Sequence, residues 1–295
     1  MQIDPVLVNN IGDGGLLQGA GVGLRSPHLQ HVNTTLPDVP WFEILVDNYL
    51  NTGGVIQHYL YAIAEHYPLS CHGVGMSLGS TDPLNMEYLS TLKQLIKDLQ
   101  ITQVSEHLCW TSKHGYYSHE LLPMPYTDEA AQHIADRIIQ VQEYLGCQIL
   151  IENVSSYMTY SQSEMTEWQF LNEVIQRADC HLLADINNIF VSASNHQFDP
   201  YDYINAIPAH KVKEIHLAGF EDMGQYLLDT HGAVVNEQVW TLFSYAIQRW
   251  GKKPTLIEWD NNIPEFDILC AESAKAQLIL NGDHSACTAT TTTHS

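Results

Sequence analysis

The regular alternation of short strand-like runs with longer helix-like segments constrains the fold of this chain more than any other feature. Eight runs rich in β-branched residues are predicted strands, at residues 20–24, 42–46, 69–71, 103–105, 148–151, 181–184, 212–216 and 255–257. The segments between them, such as 86–99, 127–145 and 237–250, repeat apolar residues every three or four positions, as helices do. This alternation implies parallel strands joined by helices. Eight repeats favour an α/β fold with a single closed (β/α)8 TIM barrel, and an open doubly wound sheet is the alternative.

Length and composition are consistent with one large domain. TIM barrels commonly reach the 295 residues of this chain without dividing, and a content of 45% hydrophobic residues suffices for one core. We therefore predict one barrel domain over residues 1–283. Residues 284–295 are rich in Thr and lack periodicity, so we predict a disordered tail there.

The net charge of −22, from 34 acidic and 12 basic residues, argues against nucleic acid as a partner. Binding of nucleic acid depends on Lys and Arg side chains that neutralise phosphates. No apolar run is long enough to cross a bilayer, and the first residues lack the basic and apolar segments of a secretory signal. We expect a cytoplasmic protein without a membrane partner. The six cysteines form no CxxC pair, which argues against a thiolate zinc site and against a disulfide framework.

Polar side chains occur at the ends of six of the eight predicted strands, and two more follow in a loop. They are His72, Glu106, His107, Glu152, Asn153, Asp185, Asn187, Asn188, His216, Glu258 and Asp260, with Asp229 and His231 in the loop after the seventh strand. In a TIM barrel the carboxyl ends of the strands face the active site. We therefore expect these side chains to meet.

Each of these residues has a simpler explanation when it is taken alone. A single His after a strand is more often hydrogen-bonded than metal-bound, Asp185 could shape a turn, and Glu258 could pair with a basic residue. These explanations fail together, because 12 Lys and Arg residues are too few to neutralise a cluster of buried carboxylates. Metal ions would supply the missing positive charge.

The types of donor atom narrow the choice of metal. Imidazole, carboxylate and amide donors without a thiolate suit Fe, Mn or Zn. Eight or nine donors exceed the needs of one ion, so we expect two or three ions bridged by carboxylates. Glu152 is central in the order of the strands and is the predicted bridge.

Seven motifs occur in an order that resembles a known family. They are HGVGMS at 72–77, SEHL at 105–108, IENVSSY at 151–157, DINN at 185–188, HLAG at 216–219, DTHG at 229–232 and IEWD at 257–260. The chain resembles the multinuclear non-heme iron-dependent oxidases, whose best-known member acts in methanobactin maturation. The resemblance extends over residues 21–280, which is nearly the whole chain.

The resemblance implies a TIM barrel that holds two or three irons. Family members use dioxygen to oxidise cysteine or other residues of ribosomally made precursor peptides, and many work with a small partner protein that recognises the leader of the precursor. Carried over residue by residue, the implied metal ligands are His72, His107, Glu152, Asp185, Asn188, His216, Asp229, His231 and Glu258, with Glu106 as a neighbour. Glu152, Asp185 and His231 are the predicted catalytic residues among them.

A related superfamily gives the second hypothesis. Endonuclease IV-like phosphodiesterases and xylose isomerase-like enzymes hold similar metal clusters in similar barrels, so a zinc- or manganese-dependent hydrolase or sugar isomerase is the alternative. In the endonucleases a His stands where this chain has Asn188, and an amide is a weaker ligand than imidazole. The negative charge argues against DNA repair. A non-catalytic protein ranks last, because structural metal sites rarely take ligands from six strands.

Aromatic residues are concentrated after the fourth predicted strand. Trp110, Tyr116 and Tyr117 lie there with His114 and His119, in what we predict to be a long loop. Loops at this end of a barrel build active sites. The cluster therefore either lines a substrate groove or packs a lid.

Overall fold

Eight parallel strands close into a barrel. The computed structural model describes residues 17–50 and 53–283, so the predicted tail at 284–295 lies outside the described residues. The strands are β1 Ala20–Gly23, β2 Phe42–Leu45, β3 Leu69–Gly73, β4 Gln103–His107, β5 Trp110–Lys113, β6 Tyr116–Leu122, β7 Leu150–Glu152, β8 His181–Asp185, β9 Val212–Leu217, β10 Glu221–Asp222, β11 Leu227–Leu228 and β12 Thr255–Ile257. The barrel order is β1-β12-β9-β8-β7-β4-β3-β2, and β2 pairs with β1. The predicted TIM barrel is confirmed, and the open sheet is excluded.

Helices connect each barrel strand to the next. Within the described residues they are α1 Leu29–Thr35, α2 Gly54–Ala64, α3 Met86–Leu99, α4 Asp128–Leu145, α5 Glu167–Ala178, α6 Ile186–His196, α7 Pro200–Ala206, α8 Glu237–Trp250 and α9 Phe266–Leu280. Single turns of 3-10 helix at Ser26–His28 and Val46–Asn48 follow β1 and β2.

Helix α4 shows how the sequence sets the bounds of these elements. The Thr127 hydroxyl, just before the helix, accepts a hydrogen bond from the backbone N–H of Ala130 at 3.2 Å. Ile134 and Ile138 lie on its buried face. Gly146 ends the helix with φ of 83°, a left-handed conformation that glycine adopts without steric cost. The helix predicted at 127–145 is confirmed.

Several strands continue further at their carboxyl ends than predicted. The strand predicted at 103–105 continues to His107, and the strand predicted at 181–184 continues to Asp185. Backbone pairing explains the difference, since the parallel ladder between β4 and β7 still aligns His107 with Glu152. These polar residues therefore lie within the sheet, and the backbone that carries them is held by neighbouring strands.

The prediction of a long loop after the fourth barrel strand was wrong, because β5 and β6 form an antiparallel hairpin. His114 and Gly115 make its turn with positive φ angles of 53° and 76°. A two-residue turn of this kind matches the twist of paired strands, and the sequence analysis did not recognise it. Trp110 packs partly buried against the core, whereas Tyr116 and Tyr117 are exposed.

No helix within the described ranges is long and apolar enough to span a bilayer. The cysteines in this part of the chain are free thiols at positions Cys71, Cys109, Cys147, Cys180 and Cys270. None of them belongs to a group of side chains that could hold a metal ion among the described residues. The chemistry of the barrel must therefore depend on other donors.

Glu167 connects three elements beside the barrel. It lies in the first turn of α5, and its carboxylate accepts hydrogen bonds from the hydroxyl of Tyr203 in α7 at 2.9 Å and from the hydroxyl of Tyr126 at 3.2 Å. Burial raises the pKa of Glu167 to about 7, although both hydroxyls act in the opposite direction. The folded state thus holds a proton on this carboxyl more tightly than the unfolded chain does.

We expect Glu167→Gln to reduce the pH dependence of stability. Because the pKa is higher in the folded state, the contribution of Glu167 to the free energy of unfolding is full below about pH 4.5 and is lost as the pH rises through about 7. Urea denaturation at about pH 5 and about pH 8 should show a larger loss of stability for the wild type than for the variant. Glu129→Gln, in the exposed first turn of α4, is the matched control. Equal losses for the wild type and Glu167→Gln would contradict the assignment.

Candidate metal centre

All nine predicted ligands lie at the carboxyl end of the barrel. Five of them end barrel strands, one follows β12, one lies in the first turn of α6, and two follow the β10–β11 hairpin. In that order they are His72, His107, Glu152, Asp185 and His216, then Glu258, then Asn188, and then Asp229 and His231. Parallel strands present their carboxyl ends on the same side, so residues far apart in the sequence meet there.

Two imidazoles and one carboxylate form the first group of donor atoms. The Nε2 atoms of His72 and His107 lie 2.9 Å and 3.1 Å from Oε2 of Glu152. The two Nε2 atoms are 3.2 Å apart. Three donor atoms that converge in this way could hold one ion.

Glu152 also belongs to a second group. Oxygen or nitrogen atoms of Glu152, Asp185, His216 and Glu258 all lie within 4.8 Å of one another. Nδ1 of His216 is 2.9 Å from Oε2 of Glu258 and 4.0 Å from Oε1 of Glu152. The two oxygens of Glu152 therefore face different groups, which is the geometry that a bridging carboxylate needs.

A third set of donors lies around His231. Its Nε2 atom is 2.8 Å from Oδ1 of Asp229 and 3.9 Å from Oδ2 of Asp185, while its Nδ1 atom is 3.3 Å from Oε2 of Glu258. Asn188 donates its amide N–H to Oε1 of Glu152 at 3.4 Å, which leaves its own oxygen without a hydrogen bond. Asp185 and Glu258 thus connect the second set to the third.

Three of the four cluster histidines are held through the nitrogen that does not face the other donors, and Nδ1 of His231, which lies near Glu258, also has Asp260 as a partner. Nδ1 of His72 bonds the Ser105 hydroxyl at 2.7 Å, and Nδ1 of His107 bonds the carbonyl of Gly73 at 2.9 Å. In the same way, Nε2 of His216 bonds Glu43 at 3.2 Å, whereas Nδ1 of His231 bonds Asp260 at 3.3 Å. Outer partners of this kind fix the orientation of histidines that bind metals.

Unpaired buried atoms test whether metal ions fit these residues. Oε2 of Glu152, Oδ2 of Asp185, Oδ1 of Asn188 and Nε2 of His231 are buried and take part in no hydrogen bond. Buried polar atoms of proteins are usually hydrogen-bonded, and leaving them unpaired is costly. All four are good ligand atoms, and those of Glu152, Asp185 and His231 lie between 2.8 Å and 3.9 Å from another donor atom of the cluster. The residues therefore fit the metal ions predicted from the types of donor.

The charge balance leads to the same conclusion. Six carboxylates are buried in the described part of the chain, namely Glu43, Glu106, Glu152, Asp185, Glu214 and Glu258. Arg25 is the one buried cationic side chain there that pairs with carboxylates, at 3.5 Å from Glu258 and 2.7 Å from Asp260. The other buried arginine, Arg137, donates to backbone carbonyls. One guanidinium cannot neutralise six carboxylates, so the remaining charge has to be balanced by protons or by further cations.

The pKa values reflect this demand for positive charge. Burial lowers the pKa of His107, but the carboxylates of Glu152, Glu106 and Glu258 together outweigh burial and raise the pKa to about 10. Burial opposes the charged form of Glu258 as well, yet the imidazoles of His216 and His231 hold the pKa of Glu258 well below its usual range. Positive charge is therefore retained at this end of the barrel, either as protons or as metal ions that displace them.

A layer of polar residues beneath the predicted ligands was not predicted from the sequence. Glu43 and Glu214 are fully buried beneath His216, with oxygens 3.2 Å and 3.5 Å from its Nε2 atom, and Gln103 donates a hydrogen bond to Glu214 from across the barrel. The sequence contains a signal for both Glu43 and Glu214. Glu43 interrupts an apolar run, and Glu214 stands two positions before His216, on the same face of its strand. Arg25 was also missed and carried no such signal.

Glu106 and Asn187 belong to the sequence motifs but are not predicted ligands, and both support residues of the cluster through hydrogen bonds. The oxygens of Glu106 accept hydrogen bonds from the backbone N–H groups of Met76 and His107, both at 3.0 Å, so Glu106 lies outside the groups of donors. The Asn187 side chain donates to Oδ1 of Asp229 at 2.8 Å and thereby orients that carboxylate.

A sequence profile of one enzyme family covers almost the whole chain. It is described as RiPP precursor modification enzyme MbnB/TglH/ChrH and matches residues 19–281. The chain belongs to this family. RiPPs are ribosomally made peptides that are modified after translation, so membership supports an enzyme that modifies a precursor peptide.

Similar sequences carry the name UPF0276 protein. One from Acaryochloris marina is 53% identical over 264 residues, which are 90% of this chain and 95% of the relative. Another from Anaeromyxobacter sp. is 48% identical over 260 residues, covering 88% and 92% of the two chains. These relatives extend the family in bacteria and name no reaction.

Solved structures share the fold. A xylose isomerase-like TIM barrel fused to 4-hydroxyphenylpyruvate dioxygenase superposes with a TM-score of 0.61 at 13% identity, over 91% of this chain and 44% of that one. A D-allulose 3-epimerase from Methylomonas sp. gives 0.55 at 14% identity, over 92% and 97%. Similarity at this level of identity supports the barrel and carries no information on the reaction.

We expect Glu43→Gln to weaken metal binding while the fold is kept. The amide retains the shape of the side chain but is a poorer acceptor for the N–H of His216, and loss of such an outer partner costs about 10- to 100-fold in metal affinity. Titration with Fe(II) under nitrogen, followed by plasma mass spectrometry after gel filtration, measures the effect. Glu167→Gln, a similar change away from the cluster, should bind as the wild type does. Unchanged affinity in Glu43→Gln would show that Glu43 does not support a ligand.

Proposed function

We propose that this protein is a multinuclear non-heme iron-dependent oxidase that uses dioxygen to modify a residue, cysteine by preference, in a ribosomally made precursor peptide. The observation that carries the proposal is the set of six buried carboxylates with four converging histidines and one guanidinium partner. Such a set needs several cations. The membership of the chain in a family of precursor-modifying enzymes supplies the substrate class.

The donor groups suggest how two or three ions would be held. His72, His107 and Glu152 would hold one ion. Glu152 and Asp185, together with His216 and Glu258, would hold a second. The third would be bound by Asn188, Asp229 and His231. Because its donors include an amide and because Asp229 and His231 are half-buried residues rather than buried ones, the third ion would exchange most readily.

Iron is preferred among the metals that suit imidazole, carboxylate and amide donors, because the resemblance implies an oxidase. When bound, iron supplies the redox chemistry that allows dioxygen to oxidise the peptide. The residues of the chain provide orientation and exclude water, since His72, Glu152, Asp185 and His216 are fully buried. Asp229 and His231 are the two predicted ligands that are only half-buried, whereas the other seven are buried. The peptide would therefore approach from their side.

The proposed assignment of partners follows the family. A precursor peptide would be the substrate, and a small partner protein would recognise its leader. Glu152 and Asp185 would act catalytically through the ions they share, and His231 through the ion at the open side. A zinc- or manganese-dependent hydrolase or isomerase is the competing function, and the metal content distinguishes the two.

We expect His231→Ala to abolish turnover while the barrel stays folded. The variant removes an imidazole that lies 2.8 Å from Asp229, and loss of a direct ligand should cost more than the about 100-fold that removal of an outer partner costs. Mass spectrometry of a cysteine-containing precursor peptide incubated under oxygen measures the reaction, and circular dichroism measures the fold. His210→Ala, an exposed histidine in the turn before β9, is the control. Full turnover by His231→Ala with full metal content would contradict the assigned role.

A further inference from the structure

Exposed aromatic and thioether side chains occur in segments at the carboxyl end of the barrel, where the metal centre lies. They lie in the elements that follow β4, β7 and β9, and we call them the aromatic rim: Tyr116, Tyr117, Tyr157, Met158, Met223 and Tyr226. Tyr116 is 81% exposed, and the others are between 45% and 62% exposed. Exposed apolar side chains that gather around a site mark an interaction surface.

Tyr157 connects the rim to the predicted ligand Asp229, and Tyr226 packs against Tyr157. Their rings meet edge to face with centroids 6.2 Å apart. The Tyr157 hydroxyl accepts a hydrogen bond from the backbone N–H of Asp229 at 2.9 Å, and Ser155 donates to Oδ2 of the same residue at 3.0 Å. A molecule resting on the two rings would therefore lie beside Asp229 and His231, the two half-buried predicted ligands.

The rim is held in place by its own hydrogen bonds. Asn195 in α6 bonds both the N–H and the carbonyl of Leu227, at 2.9 Å and 3.0 Å. The backbone N–H of Met223 bonds the carbonyl of Tyr226 at 3.0 Å and closes the β10–β11 turn. Aromatic rings that are fixed before binding lose little entropy when a ligand arrives.

The charge of these loops selects among peptides. Residues 153–166 and 218–236, which carry four of the six rim residues, contain Glu164, Glu221, Asp222 and Asp229 but no Lys or Arg, whereas the β5–β6 hairpin contains one residue of each sign, Lys113 and Glu120. The whole chain carries a net charge of −22. Acidic segments bound here would be repelled, whereas basic segments would be attracted at low ionic strength.

We propose that the aromatic rim binds the stretch of precursor peptide that flanks the modified residue, and that this stretch is apolar and basic in character. The proposal rests on the proposed function, because it takes the substrate to be a peptide. Tyr157 and Tyr226 contact the peptide chain, and the modified side chain enters between them and His231. Tyr226 is a specificity residue that acts on binding of the peptide, and among the described residues its ring contact is with Tyr157.

The test uses two fluorescein-labelled peptides of equal length, each with one central cysteine, flanked in one case by Leu and Lys and in the other by Leu and Glu. Fluorescence anisotropy with the metal-loaded protein should show at least about tenfold tighter binding of the basic peptide at low salt. Tyr226→Ala should weaken that binding by about tenfold without changing the metal content.

Tyr201→Ala is the matched control. Tyr201 is 37% exposed and packs edge to face on Tyr245, but it lies in α7, between α6 and the amino end of β9. This variant should bind the basic peptide normally. Equal affinity for both peptides, no binding of either, an equal effect of Tyr201→Ala, or a dimer in solution that Tyr226→Ala dissociates would each overturn the proposal. Oxidation of the bound peptide, followed by mass spectrometry, tests the proposed function separately, so the two can fail independently.

Discussion

The burial of six carboxylates with one guanidinium is the constraint on which the rest of this structure depends. An isolated ionised carboxylate is very costly to remove from water, so a barrel that buries six of them has to supply positive charge from elsewhere. Arg25 supplies one charge, to Glu258 and Asp260. The carboxylates around His107 raise its pKa to about 10, so a protonated imidazole is one source of the remaining positive charge. Metal ions meet the same demand with fewer groups and with ligand atoms that are otherwise unpaired.

The barrel gives this charge cluster its precision. Five predicted ligands are in strands paired on both sides, and the opposite nitrogen of three of the four cluster histidines is fixed by a hydroxyl, a carbonyl or a carboxylate. TIM barrels usually fill their interior with branched apolar residues, yet Glu43, Gln103 and Glu214 fill it here beneath His216. The polar interior thus extends the centre downward. The loops after β7 and β9 extend it outward, from Asp229 to Tyr157 and Tyr226.

The barrel and the polar residues at its strand ends can be predicted from the sequence, because the signals for both are local. Strand and helix periods, and an Asp or His that ends an apolar run, are visible within a few residues. The contacts of the site are not local. Arg25 meets Asp260 across 235 positions, and Gln103 meets Glu214 across 111, so no window of sequence shows either pair. The β5–β6 hairpin was not predicted for a different reason. Its turn at His114 and Gly115 differs from the commonest sequence signals of hairpins.

The central claim is that the cluster holds several irons, and metal content tests it most directly. Protein purified without added metal would be analysed by plasma mass spectrometry, and protein prepared with iron-57 would be analysed by Mössbauer spectroscopy. The account predicts two or three irons per chain, with at least two of them magnetically coupled through shared carboxylates. Zinc or manganese in the site, with no iron bound after anaerobic loading with Fe(II), would contradict it and favour a hydrolase or an isomerase.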